Sequence, residues 1–382
     1  MSLAVGMFVL SSLAIVYTYA LYPLILMALA RRGEKASLNS PCEATPTVSV
    51  IIPFHNEERW VASKLENTLS WDYPSDRLKV IAVSDGSTDR TTAILEQYKD
   101  RVHMVSYYPR RGKPTALNRG VGEARGEILV FTDANVLLHP NAIRAVVASY
   151  ADPTVGGVSW NVALQPEGRQ EPLGEGLYMR YERWLYALDS SIGTMVGADG
   201  ACFSIRRALF SPLPSDTITD DFAIALEVVS QGKRVAYESE ARGVEMVVPD
   251  VRAEFRRKVR MIAGGYQALW RYRRLLNPVR FFTVSFQLLS HKLMRWLVPL
   301  FLVSALLASL MATQYHPVWN LVLALQISFY VLAALGSLSV TMRRRMLVYL
   351  PYYFCAVNAA AAVGIWRFLL GRRVITWQKV SR

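Results

Sequence analysis

Acidic and amide side chains stand at three places where an apolar run stops. Pro53-Phe54-His55-Asn56-Glu57 closes one run, Ser84-Asp85-Gly86-Ser87-Thr88-Asp89 a second, and Asp133-Ala134-Asn135 a third. A further pair, Asp220-Asp221, opens a segment with helical spacing that carries Ile224, Leu226 and Val228. Carboxylates in such places can hold a hard divalent cation, accept a proton from a hydroxyl, or cap a helix. Composition alone favours the cap for Asp220-Asp221. Lys113 follows Arg110-Arg111-Gly112 and precedes Pro114, which suits the first turn of a helix, and a cation beside a helix N-terminus suits an anion. The plainer alternatives stay open at this point. Glu57 could complement a helix dipole, Asp89 could cap the next helix, and Lys113 could be a surface lysine.

Such groups act together only if the chain brings its strand ends to one edge. Val48–Phe54, Leu78–Val83, Val102–Tyr107 and Ile128–Thr132 read as strands, the last suited to burial on both faces. Between and after them, Asn56–Leu69, Thr91–Tyr98, Thr115–Ala124 and Asn141–Tyr150 have helical spacing. This alternation predicts an α/β domain with a mainly parallel sheet covered on both sides. In such sheets ligands bind beyond the carboxyl ends of the strands. No Gly-x-Gly-x-x-Gly follows the first strand and there is no P-loop, so dinucleotide binding is unsupported.

The apolar residues are unevenly spread. They make up 52% of the chain and mean hydropathy is +0.20. Leu3–Ala30 contains no charged residue, and roughly 20 apolar residues span a bilayer as a helix. Leu297–Ala312, Val318–Thr341 and Met346–Trp366 are further candidates, so an integral membrane protein is expected. Arg31, Arg32 and Lys35 put the region after the first span in the cytoplasm by the positive-inside rule. Arg343–Arg345 fit if the next two spans form a hairpin. A fourth full span would export Arg372, Arg373, Lys379 and Arg382, so Met346–Trp366 is either re-entrant or interfacial, or an exception to the rule. The net charge of +13 lies largely beside the apolar segments, which points to anionic lipid rather than nucleic acid. The cysteines Cys42, Cys202 and Cys355 suggest neither a disulfide framework nor a zinc site.

Taken in order, "SVIIPFHNEE", "VSDGSTD", "GKPTALNRG", "FTDAN" and "TDDFAIAL" resemble a family 2 glycosyltransferase with the GT-A fold. With the membrane segments, the chain is similar to membrane-integrated polysaccharide synthases, the group that includes cellulose, hyaluronan and poly-N-acetylglucosamine synthases. The resemblance implies an N-terminal transmembrane helix over 1–32, a GT-A domain over 45–275, and an interfacial helix with C-terminal transmembrane helices over 276–382. It implies a nucleotide-sugar donor, with a UDP-sugar expected, held by Pro53, His55, Asn56, Glu57, Asp85, Lys113, Asp133 and Arg257. Asp85 would take a uracil N–H and Glu57 a ribose hydroxyl. Asp133 and Asn135 stand where the family's D-x-D holds Mg²⁺ or Mn²⁺. Asp221, with Asp220 beside it, stands where the family's base deprotonates the acceptor hydroxyl, and Arg260 where an arginine meets the leaving diphosphate. Gly197, Asp199 and Gly200 lie in the stretch near the acceptor sugar, although an ordinary turn aspartate is an equal reading of Asp199.

Two departures bear on function. Asn135 brings an amide oxygen without negative charge to the cation site. In "FRRKVRMIAGG", Arg257, Arg260 and Met261 fall where processive synthases carry Gln-x-x-Arg-Trp, so the aromatic that holds a growing chain is replaced. Trp160, Trp184 and Trp270 are alternative stacking candidates. The expected function is an inverting transfer at the plasma membrane, with a cytoplasmic catalytic domain, onto a growing surface polysaccharide. Transfer of one sugar to a lipid-linked acceptor, or a catalytically silent synthase subunit, are the alternatives. The expected partners are the donor, a glycan or lipid-linked acceptor, the lipid bilayer and polysaccharide secretion components, with no nucleic acid.

Overall fold

Four parallel strands, β1 (Val48–Phe54), β2 (Leu78–Asp85), β3 (His103–Tyr107) and β4 (Ile128–Thr132), lie in the order β3-β2-β1-β4. The chain leaves β1 for β2 on one side and later returns to lay β4 on the other. This makes the β1–β4 edge a topological switch point, where a crevice opens beyond the carboxyl ends. Beyond β4 the order continues β7 (Cys202–Arg206), β6 (Val155–Pro166), β8 (Arg234–Val247) and β5 (Val136–Leu138). β7 is antiparallel to both its neighbours, β6 and β8 are parallel, and β5 runs antiparallel along β8. The computed structural model describes residues 3–31, 45–166, 173–247 and 251–371. Arg32, Lys35, Cys42 and the basic residues Arg372, Arg373, Lys379 and Arg382 lie outside the described residues.

Alternation along the strands builds a core on each face of the sheet. Val50, Ile52, Val80, Ala82 and Val130 pack with Val61, Leu65, Ile143 and Val146 of the helices Val61–Leu69 and Ala142–Ser149. Ile51, Ile81, Val83, Leu129 and Phe131 pack on the other face with Leu117, Ile224, Leu226 and Leu269. Burial on both faces is why these strands read as unbroken apolar runs. Each such side chain contributes roughly 1.5–3 kcal/mol on leaving water. The helix Asp220–Ser230 is buried nearly all round, which suits a sequence that after the two acids is apolar except for Glu227 and Ser230.

Local chemistry shifts one predicted boundary. The first helix starts at Val61 rather than Asn56 because Asn56 has a φ of +54°. A helix does not run through a left-handed residue. Asn56 instead joins two strand ends, its Oδ1 accepting from the Thr88 N–H at 2.8 Å and its Nδ2 donating to Thr88 Oγ1 at 3.2 Å. Asp89 is a helix cap, accepting from the Thr91 N–H at 2.9 Å.

Among the described residues, four helices are long and apolar enough to cross a membrane: Leu3–Ala30, Phe282–Ala312, Val318–Leu338 and Met346–Leu369. The second begins at Phe282 rather than Leu297, because its charged residues have partners. Arg295 pairs with Glu182 of the helix Leu173–Ile192. Asp189 of that helix, fully buried, accepts from Tyr22 Oη and His291 Nδ1, each at 2.6 Å, and from Gln287 Nε2 at 3.1 Å. The last segment is one helix, Met346–Leu369, of 24 residues. Along it lies Val251–Arg271, with Tyr266 stacked on Phe368 at 5.5 Å. The β-sheet domain is thereby fastened to the apolar helices.

Candidate active site

A cleft of about 400 Å³ opens at the carboxyl ends of β1, β2 and β4 and continues to the apolar helices. Pro53, His55, Glu57, Asp85, Lys113, Asp133, Asn135, Gly197, Asp199, Gly200, Asp220, Asp221, Arg257 and Arg260 all line it. Asn56 does not; it works behind the wall, tying the β1 and β2 ends together. Tyr19, Asn358 and Ala361, from two of the apolar helices, bound the opposite end.

At the β2 end, Asp85 is 3% exposed and organises a loop. Its Oδ1 accepts from the Arg111 N–H at 2.6 Å and its Oδ2 from the Gly112 N–H at 2.8 Å. A base N–H would have to use a remaining lone pair. His55 Nδ1 lies 2.8 Å from the Asp85 carbonyl oxygen. A carbonyl only accepts, so Nδ1 carries the proton. Burial holds the His55 pKa below its usual value, which leaves Nε2 as an acceptor.

The loop fixed by Asp85 delivers Lys113 as the first residue of the helix Lys113–Gly122, with Pro114 in its first turn as the sequence predicts. Lys113 Nζ lies 2.8 Å from Asp133 Oδ1 and 3.1 Å from Asp220 Oδ2. Burial opposes its charge, but Asp133 and Asp220 more than offset this and raise its pKa. Asp221, next along, has its pKa pushed up to about 6 by burial and by the adjacent Asp220 charge, with Lys113 and Arg260 acting against this. Gly200 makes room for that carboxylate, since a Cβ there would sit 3.0 Å from Asp221 Oδ2. Asp199 is held by the Ala201 N–H at 3.1 Å, and burial pushes its pKa up to about 7. Arg257 forms a double hydrogen bond with Glu254, and Arg260 donates to the Ile218 carbonyl at 3.2 Å.

The Asp133–Asn135 turn rests on a residue that sequence reasoning missed. Lys64 is fully buried, and its Nζ donates to Thr132 Oγ1 at 2.9 Å and to the Val136 carbonyl at 2.6 Å. Burial pushes its pKa down to about 8. Its signal in the sequence is a lysine on the same helical face as Val61, Leu65 and Thr68. Asn135 Nδ2 donates to the Met246 carbonyl at 2.8 Å, turning the amide oxygen away from β8. The Asp133 carboxylate and this amide oxygen are hard donors that fit Mg²⁺ or Mn²⁺. Among the described residues no group of three or more His, Cys, Asp or Glu could share a metal, so such an ion needs ligands from a substrate as well.

Trp296 was also missed. It lines the cleft and packs on Tyr266 at 4.9 Å, and only a glycine at 265 admits it, since a Cβ there would lie 2.5 Å from the indole ring. Of the tryptophans considered from sequence, Trp160 is fully buried core, and Trp184 and Trp270 are exposed outside the cleft.

Comparison with known proteins bears on this geometry. Residues 49–212 match the model of Glycosyl transferase family 2. The likeness to that family takes in the strands β1–β4 and the residues that follow them, less than half of the chain. The chain is 28% identical over 281 residues to the beta-monoglucosyldiacylglycerol synthase of Synechocystis sp., covering 69% of this chain and 57% of that protein. It is 24% identical over 234 residues to the poly-beta-1,6-N-acetyl-D-glucosamine synthase of Staphylococcus aureus, covering 59% of this chain and 56% of the relative. The match thus spans little more than half the length of either relative. In fold it is similar to the mannosyltransferase PcManGT of Pyrobaculum calidifontis, solved with GDP-Man and Mn²⁺. There the TM-score is 0.70 at 24% identity, covering 95% of this chain and 99% of that one. The likeness takes in the apolar helices as well as the sheet, and the expected GT-A architecture is the one observed.

Replacing Lys64 by Met keeps the apolar stem but leaves the buried Val136 carbonyl without a donor. An unsatisfied group of this kind costs about 1–3 kcal/mol, and that loss is expected in denaturant unfolding of the Lys64→Met protein.

Proposed function

We propose that the chain is a membrane-integrated, metal-dependent, inverting glycosyltransferase that moves a sugar from a nucleotide sugar, expected to be a UDP-sugar, to an acceptor at the membrane face. The observation that carries this reading is the single cleft joining the strand-end carboxylates to the apolar helices. A soluble donor can enter over β1 and β2, and an acceptor can arrive from the bilayer side. The same arrangement supports a division into a first span over 1–32, a catalytic domain over 45–275 and a membrane region over 276–382.

In this reading His55, Glu57 and Asp85 orient the nucleoside, and the Arg110 and Lys113 side chains face its diphosphate. Asp133 and Asn135 would hold Mg²⁺ or Mn²⁺, which when bound would neutralise charge on the departing diphosphate. Asp221 takes the proton from the acceptor hydroxyl as it attacks the anomeric carbon. Its raised proton affinity makes it a stronger base than an ordinary carboxylate. Asp220, tied to Lys113, keeps it so through like-charge repulsion. Arg260 steadies the charge left on the diphosphate. Asp199, part protonated near neutral pH, can donate or accept a hydrogen bond at an acceptor hydroxyl.

Four full spans would set Arg343–Arg345 and the catalytic domain on one side, the cytoplasmic one by the positive-inside rule. The acceptor has two readings. Trp296 returns an aromatic face to a cleft that lacks one at Met261, which supports a growing surface polysaccharide, with secretion partners to match. The apolar helices at the inner end support single addition to a lipid, and one relative is a glycolipid synthase. Product sizing at early time separates them: long chains support the first, a single-sugar adduct the second.

Purified protein incubated with UDP- and GDP-sugars, with released diphosphate measured, tests the donor. Asp221→Asn is expected to lower turnover by roughly 100-fold or more while UDP binds as in the parent. Full activity in that variant would remove the assigned base. The base works only when deprotonated, so kcat/KM should fall as pH drops through about 6, against roughly 4 for an ordinary carboxylate. EDTA should stop turnover and Mn²⁺ or Mg²⁺ restore it; indifference to chelation would discard the metal.

A further inference from the structure

Asn135 stands where an acid is expected, yet an acid lies across the strand pair. β5 and β8 pair with Val136 opposite Glu245, so the residue before β5 runs beside this glutamate. Asn135 Nδ2 reaches Glu245 Oε1 at 3.4 Å as well as the Met246 carbonyl, and the Met246 N–H donates back to the Asn135 carbonyl at 2.9 Å. The Met246 carbonyl can be met only by the NH₂ end of the amide. An aspartate at 135 would bring its carboxylate against a carbonyl and a second carboxylate, three acceptors with no donor among them. Asparagine is therefore the residue this pairing admits.

We infer that Glu245 supplies the second negative charge of the cation site, with Asp133 the first and Asn135 Oδ1 a neutral oxygen donor beside them. This rests on the metal-dependent reading above. Glu245 lines the same cleft as Asp133. Two carboxylates lining one cleft repel each other, and a divalent cation placed between them relieves this. The site then carries the same charge as one with two strand-end acids, the second acid having moved from the end of β4 to β8.

The test is Mn²⁺ titration of the full chain in detergent with UDP present, free Mn²⁺ being read by electron paramagnetic resonance. Glu245→Gln keeps the shape and is expected to weaken Mn²⁺ binding roughly tenfold or more. Glu245→Asp keeps the charge and should lose far less. The double variant Asn135→Asp with Glu245→Gln returns a carboxylate to the β4 end and should bind Mn²⁺ more tightly than Glu245→Gln alone, a non-additive pair. Circular dichroism and the unfolding midpoint without metal should match the parent in each, showing that the fold is intact. Unchanged Mn²⁺ affinity in Glu245→Gln, or an equal loss in Glu245→Asp, overturns the inference and leaves the transferase reading standing. A parent protein that binds no Mn²⁺ with UDP removes the metal from that reading and this inference with it.

Discussion

The ammonium group of Lys113, shared between Asp133 and Asp220, is the constraint around which the catalytic end is built. Asp133, Asp220 and Asp221 converge on one partly buried space. Two like charges about 4 Å apart repel by about 4 kcal/mol at the effective dielectric of a protein surface. A cation of the chain's own must stand among them if the fold is to hold them ionised. Its position depends on the whole β2–β3 region. Asp85 fixes the Arg111 and Gly112 amides, these start the helix at Lys113, and that helix packs Leu117 into the core beneath the strands. Moving the helix start by one residue would rotate Lys113 out of the space between the acids.

Sharing has a consequence for order of binding. While Lys113 neutralises Asp133, it is not free to serve a diphosphate. Asp133 releases it only when another positive charge takes over, and a cation arriving with the nucleotide would do so. The donor-free cleft is close to balanced in charge. A chain with this arrangement has little need of a second cation before a nucleotide arrives, because Lys113 already neutralises Asp133.

Much of this was legible in the sequence because it depends on local pattern. Unbroken apolar runs mark strands covered on both faces, and β1 and β4 fall where the runs do. Glycine and proline beside Lys113 mark the helix that presents it. What was hidden depends on pairing between segments far apart. Lys64 reads as an ordinary helical lysine until the Thr132 and Val136 partners come to it from β4 and β5. Glu245 lies in a long strand whose alternation says nothing about which residue it will face. The second apolar helix looked shorter than it is because Lys292 and Arg295 break its hydropathy, and only the fold reveals Glu182 against Arg295. Asn56 was placed in a helix because its neighbours have helical spacing, whereas its side chain is used to hold Thr88.

The buried charges between the sheet and the apolar helices show how the two halves act as one. Glu182 with Arg295, and Asp189 with Tyr22, Gln287 and His291, lie away from water. Desolvation makes such pairs poor sources of net stability, since apolar residues of equal volume would often do as well. Their effect is directional. Asp189 takes hydrogen bonds from two different apolar helices, so Leu173–Ile192 can seat on them in one register only. Tyr178, Glu182 and Tyr186 of that helix form the far wall of the cleft. The wall facing Asp221 is therefore referenced to the apolar helices rather than to the sheet. In the proposed reaction an acceptor held by that wall would be placed relative to those helices, and Asp221 relative to the strand ends. The cleft is the one place where those two frames meet.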